Sequence, residues 1–175
     1  MSGSPGSLQS DRTGFDIPQP VAPEQAIPDH LLPGGHGLLI RDTFRVFSRC
    51  LQEVLAEHDV SVAQWYVLRI LWEQEGITQI ELSQRIGVEK AGVNSLVEGM
   101  VRQGLILPRR NETDRRKVNL FLSERGWALK DVLLPCASLV NTIAGEGLAE
   151  EDIAVMHRVL KAMAVNLARW QATRR

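Results

Sequence analysis

The sequence predicts a mainly α-helical chain with a small β-hairpin, and three observations predict it. Apolar residues recur at helical spacings of three to five through most of the chain from Leu39 onward. Alternation of the strand type appears in one place, at Val118, Leu120 and Leu122. Immediately before it, NETDRR is a polar, turn-forming run that follows a second short apolar segment. From Thr78 to Ser123 the order is therefore short helix, tight turn, second helix, then two strands joined by a basic loop. That is a winged helix-turn-helix, a shape that lays one helix in a DNA major groove and a loop on the backbone beside it.

With 175 residues and 44% hydrophobic content, the chain is long enough for one compact core. Its formal net charge of -1 gives no global signal for a polyanionic partner. Locally the balance reverses. Residues 85–125 carry nine cations (Arg85, Lys90, Arg102, Arg109, Arg110, Arg115, Arg116, Lys117, Arg125) against five acids (Glu89, Glu98, Glu112, Asp114, Glu124). The basic charge is concentrated where the motif lies. Two cysteines, Cys50 and Cys136, are too few for a disulfide framework or a zinc cluster. No apolar segment approaches the ~20 residues of a membrane span and no leader is evident, so a cytoplasmic protein is expected.

Residues 1–33 hold six of the eight prolines and have no helical period, so they read as a disordered or arm-like extension. Residues 34–60 and 123–175 read as a helical dimerisation region, and 61–122 as the DNA-binding lobe. A first helix is predicted from about Leu38 to His58, with Leu39, Phe44, Phe47, Leu51, Val54 and Leu55 apolar. Arg41, Arg45 and Arg49 recur every four residues on one face of it. They are either a solvated face or an anion-binding line. Ser61 opens the next helix with a capping box to Gln64. Trp65, Leu68 and Trp72 form its stripe, and it ends near Gly76.

Thr78 opens a third helix with a second capping box, to Glu81, and Ile80, Leu82 and Ile86 are its expected inner residues. Gly87 makes the turn. The following helix, about Glu89 to Gln103, turns Val93, Leu96, Val97, Met100 and Val101 to one side. Ala91, Ser95, Glu98 and Arg102 fall opposite. Gly92 and Gly99 each cost this helix roughly 1 kcal/mol against alanine. Two strands follow, Leu105–Arg110 and Lys117–Leu122, with Pro108 marking the first as an edge or short strand. Ser123 caps a helix to Ala144 that contains Pro135, where a kink is expected. The last helix runs from about Ala149 to Ala172. Its apolar residues Ile153, Met156, Leu160, Met163, Leu167 and Trp170 are spaced 3, 4, 3, 4, 3. Such a narrow heptad seam packs on a partner helix.

The chemistry these elements point to is DNA binding. The basic hairpin offers Arg109, Arg110, Arg115, Arg116 and Lys117, and arginines at its tip suit the negative potential of a minor groove. Asp114 opposes phosphate and is expected to pair with a neighbouring arginine and fix the loop. On the second helix of the motif, Lys90, Ala91, Asn94 and Ser95 are the DNA-contact candidates near its start, with Ala91 and Ser95 outward and Asn94 at the flank. Asn pairs with adenine and Ser serves either base type. No phosphate-cradling glycine loop, metal-ligand spacing or carboxylate pair beside a histidine is present, so neither an enzyme nor a cofactor is expected.

These residues carry a resemblance. VSVAQWYVLRIL, TQIELSQRIGV and LVEGMVRQGLILPRRNETDRRKVNLFLSERG resemble the MarR family of winged-helix transcriptional regulators, above all DRRKVNLFLSERG. The pattern Asp-Arg-Arg, strand, then Ser/Thr-x-x-Gly is specific to that family's wing. The resemblance covers about Leu38 to Trp170. It implies a homodimer through the first and last helices, bound to an inverted-repeat operator of double-stranded DNA. It also implies release by a small aromatic acid or its thioester, held between the dimer helices and the DNA-binding lobe. On this sequence that pocket falls on Arg41, Arg45, Arg49, His58, Trp65, Tyr66 and Trp72. The family often places a basic or hydroxyl residue where Ser95 and Gly99 stand, a departure that bears on base preference and not on fold. The function expected is a repressor of an aromatic-compound catabolic or efflux operon. The alternatives are a cysteine-based redox sensor and a winged helix used for protein contacts. For Cys50 a buried, inert thiol is the favoured reading. The clustered wing arginines argue against the protein-contact module.

Overall fold

The computed structural model of the chain describes residues 35–87 and 90–174. From Ile40 onward the described residues form one compact unit. The predicted arm at 1–33 and residue Glu89 lie outside the described residues. The elements are α1 (His36–Ala56), α2 (Val62–Glu73), β1 (Ile77–Thr78), α3 (Gln79–Ile86), α4 (Lys90–Arg102), β2 (Ile106–Arg110), β3 (Val118–Leu122), α5 (Glu124–Ala144) and α6 (Glu150–Ala172). The predicted order of helices and hairpin is observed, with one added strand, β1.

Local chemistry sets most of the boundaries. α1 ends at Ala56 because Asp59 takes the left-handed conformation (φ 58°). The Val60 N–H then turns back to the Leu55 carbonyl at 3.2 Å. Both capping boxes form. Ser61 accepts from the Gln64 N–H while the Gln64 side chain accepts from the Ser61 N–H, and Thr78 and Glu81 do the same at α3. Gly87 closes α3 in the left-handed conformation (φ 74°), where a side chain is strained. α4 runs through Gly92 and Gly99, and α5 runs unbroken through Pro135.

The sheet has the order β1-β3-β2, all antiparallel. Pro108 thus sits on an edge strand, where its missing N–H costs no ladder bond. β1 is two residues long, Ile77 and Thr78 opposite Leu120 and Asn119. It carries no periodicity of its own, and Thr78 reads as the cap of α3.

The core draws Leu51, Val54 and Leu55 from α1 and Trp65, Val67, Leu68, Leu71 and Trp72 from α2. Leu82 of α3 and Val93, Val97 and Met100 of α4 close it beside the strands. α5 adds Leu133 and Val140, with Leu129, Cys136 and Ala137 half-buried on the same face. Two expected inner residues point elsewhere. Ile80 is exposed because the inner face of α3 runs through Leu82 and Ile86, about 160° and 120° of rotation away. Val101 is exposed at the margin of the α4 stripe.

One junction fixes the wing against the helices. Ser123 caps α5 by accepting from the Gly126 N–H at 3.0 Å, and its hydroxyl donates to the Gly104 carbonyl at 2.6 Å. Arg125 Nη1 donates to the Gln103 carbonyl at 2.9 Å. The buried Trp72 indole N–H donates to the Gly126 carbonyl at 3.0 Å. Gly126 has no room for a side chain, since a Cβ there would lie 2.2 Å from the Leu105 carbonyl oxygen. The Ser-x-x-Gly pattern thus joins the end of α4, the start of β2 and the start of α5.

Candidate nucleic-acid interface

The wing tip is built around Asn111. Its Oδ1 accepts from the N–H groups of Thr113 and Asp114, both at 2.9 Å, and from the Thr113 hydroxyl at 2.6 Å. Its Nδ2 donates to Asn119 Oδ1 at 3.2 Å across the hairpin. Such an Asx turn replaces a backbone turn by side-chain bonds. Asp114 then accepts from both the N–H and the Nε of Arg116 at 3.1 Å. Those two bonds hold its carboxyl below the usual aspartate range. The expected pairing of Asp114 is therefore present, and it sets the direction in which Arg116 leaves the tip.

Arg109 stacks over the Phe121 ring at 4.9 Å from its centroid. Phe121 lies diagonally across the ladder, since Arg109 itself faces Asn119. Arg109, Arg110, Arg115, Arg116 and Lys117 are all exposed. On α4, Ala91 and Ser95 are exposed, whereas Asn94 is half-buried and its Oδ1 is enclosed with no hydrogen-bond partner among the described residues. The side chain of Lys90 lies outside the described residues. A Cβ at Gly99 would meet only the far end of Arg102, at 3.9 Å, so packing within the chain does not require glycine there.

The residues expected to bind an effector separate. Trp65 and Trp72 are core: their rings meet edge to face at 5.6 Å, and they are 3% and 9% exposed. Both pack in the interior, and neither lines the groove between α1, α2 and α3 or the one beside the wing. Arg41 pairs with Asp42 at 2.8 Å, and Arg41, Arg45 and Arg49 are exposed. None of the three lines the groove between α1, α2 and α3 or the one beside the wing. His58 sits in the turn after α1, its Nε2 3.6 Å from Cys136 Sγ. Burial and the Glu57 carboxylate push the Cys136 thiol above its ordinary range, which opposes a reactive thiolate there. Cys50 is exposed and not buried.

Of the expected set, Tyr66 lines a groove. That groove, about 410 Å³, runs between Phe44 of α1, the Tyr66, Arg69, Ile70 and Glu73 face of α2, and Arg85 and Ile86 of α3. The available signal was the second face of α2, at 66, 69, 70 and 73, beside the tryptophan stripe.

A three-stranded sheet with a braced basic hairpin, following a capped helix-turn-helix, is the architecture of a winged-helix DNA-binding protein. Residues 58–117 match the model described as the MarR family. The HTH-type transcriptional regulator TtmR of Methylorubrum extorquens is 25% identical over 167 residues, covering 93% of this chain and 80% of that protein. The HTH-type transcriptional repressor NicR of Pseudomonas putida is 26% identical over 159 residues, covering 90% and 91%. The structure of a MarR transcriptional regulator from Methanosarcina mazei Go1 superposes with a TM-score of 0.72 at 22% identity, covering 76% of this chain and 96% of that one. The chain is thus similar to the MarR family of DNA-binding transcriptional regulators over residues 58–117, and it shares the fold of MarR-family structures.

Proposed function

We propose that the protein is a homodimeric, cytoplasmic repressor, not an enzyme, that leaves an inverted-repeat operator when a small aromatic acid or its thioester binds. The observation that carries DNA contact is the wing: exposed arginines on a tip that Asn111 and Asp114 hold rigid. The regulated genes are those of an aromatic-compound catabolic or efflux operon. Support for an aromatic effector comes from proteins of the same fold. The DNA binding of Bordetella bronchiseptica BpsR is described as regulated by 6-hydroxynicotinic acid (TM-score 0.68, 23% identity, 73% and 97% coverage). CouR of Rhodococcus jostii RHA1 is described bound to p-coumaroyl-CoA (TM-score 0.65, 22% identity, 73% and 90% coverage). Support for pairing is the apolar seam of α6, which has no buried residue in the single chain.

The effector acts by population shift, favouring a spacing of the two reading helices that no longer matches successive major grooves. Replacing Arg115 and Arg116 together by alanine weakens binding to every duplex tested. It also flattens the log–log salt slope by roughly 0.9 for each lost phosphate contact. Gel shifts over a salt series, on DNA flanking the protein's own gene and on an unrelated duplex, measure both. Unchanged affinity for both duplexes would remove the wing from the interface.

A further inference from the structure

The reading helix α4 meets the body of the lobe through an apolar face and a directed polar bond at its end. Val93, Val97 and Met100 are buried where α4 packs on α2 and α3. Contact of that kind is non-directional, so by itself it tolerates neighbouring rotations and slides of the helix. Gln64 of α2 adds a direction. It is a polar side chain only 8% exposed, and its Nε2 donates to Gln103 Oε1 at 2.6 Å, 39 positions along the chain. Gln103 directly follows the last residue of α4 and continues its last turn, with its N–H on the Gly99 carbonyl at 3.0 Å.

Both amides are held from behind. Gln64 Oε1 accepts from the Ser61 N–H at 2.8 Å, and the Gln64 N–H donates to Ser61 Oγ at 3.2 Å. The oxygen of the Gln64 amide must therefore face Ser61, which leaves its NH2 group for Gln103. On the other side the Gln103 carbonyl accepts from Arg125 Nη1 at 2.9 Å. The start of α2, the end of α4 and the start of α5 are thus joined by one line of side-chain bonds. A polar network with its members satisfied selects one packing out of several that apolar contact alone would allow.

We propose that Gln64 and Gln103 are positioning residues for DNA recognition: their amide pair fixes the rotation and slide of the reading helix, and with them the half-site spacing that the paired protein accepts. The inference rests on the reading of the chain as a dimeric operator-binding repressor and names the residues that set the register of its two reading helices. An amide–amide bond tolerates only small changes in distance and angle. Turning α4 on its axis, or sliding it along that axis, takes Gln103 away from Gln64 and leaves a buried amide without a partner. Ala91 and Ser95, exposed on α4, therefore keep a single setting. In a pair of copies the two reading helices must meet successive major grooves roughly 34–36 Å apart. A helix free to turn or slide would accept more than one such spacing.

The test is a gel-shift series on the full chain, with a duplex carrying the inverted repeat from DNA flanking its own gene and the same duplex with one base pair added or removed between the half-sites. Gln103→Met removes the acceptor and leaves the Ser61–Gln64 capping box in place; Gln103 is exposed, so the fold survives, and the thermal midpoint checks that it does. Gln103→Glu keeps an acceptor for the Gln64 NH2 group. The parent should bind the altered spacings at least tenfold more weakly than the natural one. Gln103→Met should reduce that ratio to less than threefold, and Gln103→Glu should retain it. A merely structural role would weaken binding equally on all three duplexes and leave the ratio unchanged, which overturns the inference. Loss of discrimination in Gln103→Glu overturns it as well. A parent that binds every spacing equally removes the inference while DNA binding stands. If the parent binds none of the duplexes, the repressor reading falls and takes the inference with it.

Discussion

At the scale of single residues, the tightest constraint in the chain is Gly126. A methyl group there would press within 2.2 Å of the Leu105 carbonyl oxygen and 3.1 Å of Leu122 Cδ2. Neither yields cheaply, because one is backbone and the other lies on a buried strand residue. Gly126→Ala should cost at least ~2 kcal/mol, the range of an overpacked core, read as a lower midpoint in urea with unchanged slope. A change under ~0.5 kcal/mol would show that the α5 start relaxes freely. Residue identity made this junction legible, since a serine cap with glycine three positions on is a local pattern. The Arg85 to Gln74 contact was not legible, because the two lie eleven positions apart with a strand between them, and the packing of α2 on α3 brings them together. The α1 arginines show the converse: a regular spacing on one face gave a line of charge, but none of the three lines the groove between α1, α2 and α3.

At the scale of elements, side-chain caps explain why the helix boundaries were readable. Ser61, Thr78 and Ser123 each accept the predicted N–H. The Thr78–Glu81 box also makes α3 sensitive to pH. The Thr78 N–H and hydroxyl hold the Glu81 carboxyl below its ordinary value. A depressed folded value means that the stabilisation is complete above the ordinary glutamate range and is lost as pH falls through the folded value. Acid titration followed by NMR should therefore show the Thr78 amide and the first turn of α3 loosening only below that range. Glu81→Gln should flatten this transition, and an α3 that melts identically in both proteins would assign it to another group. β1 escaped prediction for the opposite reason: two residues held by a neighbour's ladder leave no pattern in sequence.

At the scale of the whole molecule, the interior and the last helix behave differently. The α6 heptad residues Met156, Leu160, Leu167 and Trp170 are 41–61% exposed, and only Ile153 and Met163 are half-buried. A seam this apolar and uncovered is matched by a second copy of itself in the proposed dimer. Leu160→Asp should shift the sedimentation coefficient to that of a monomer while leaving the α2 and α4 core, and so the near-ultraviolet dichroism of Trp65 and Trp72, intact. A variant that sediments as the parent does would place the pairing surface elsewhere. Charge distribution was legible at this scale, because the cations of 85–125 stand out against a chain of net charge -1.

Ser123 is the single residue between the last position of β3 and the first of α5. With its hydroxyl and the Gly126 backbone both engaged, that joint behaves as a stiff elbow, not as a swivel. α5 spans 21 residues, so its axis is roughly 31 Å long at about 1.5 Å per residue. A tilt of about 5° at the elbow therefore carries its far end by nearly 3 Å on that length. By the same lever, a small displacement of the distal turns of α5 reaches β3 as a rotation, and the wing tip swings with it.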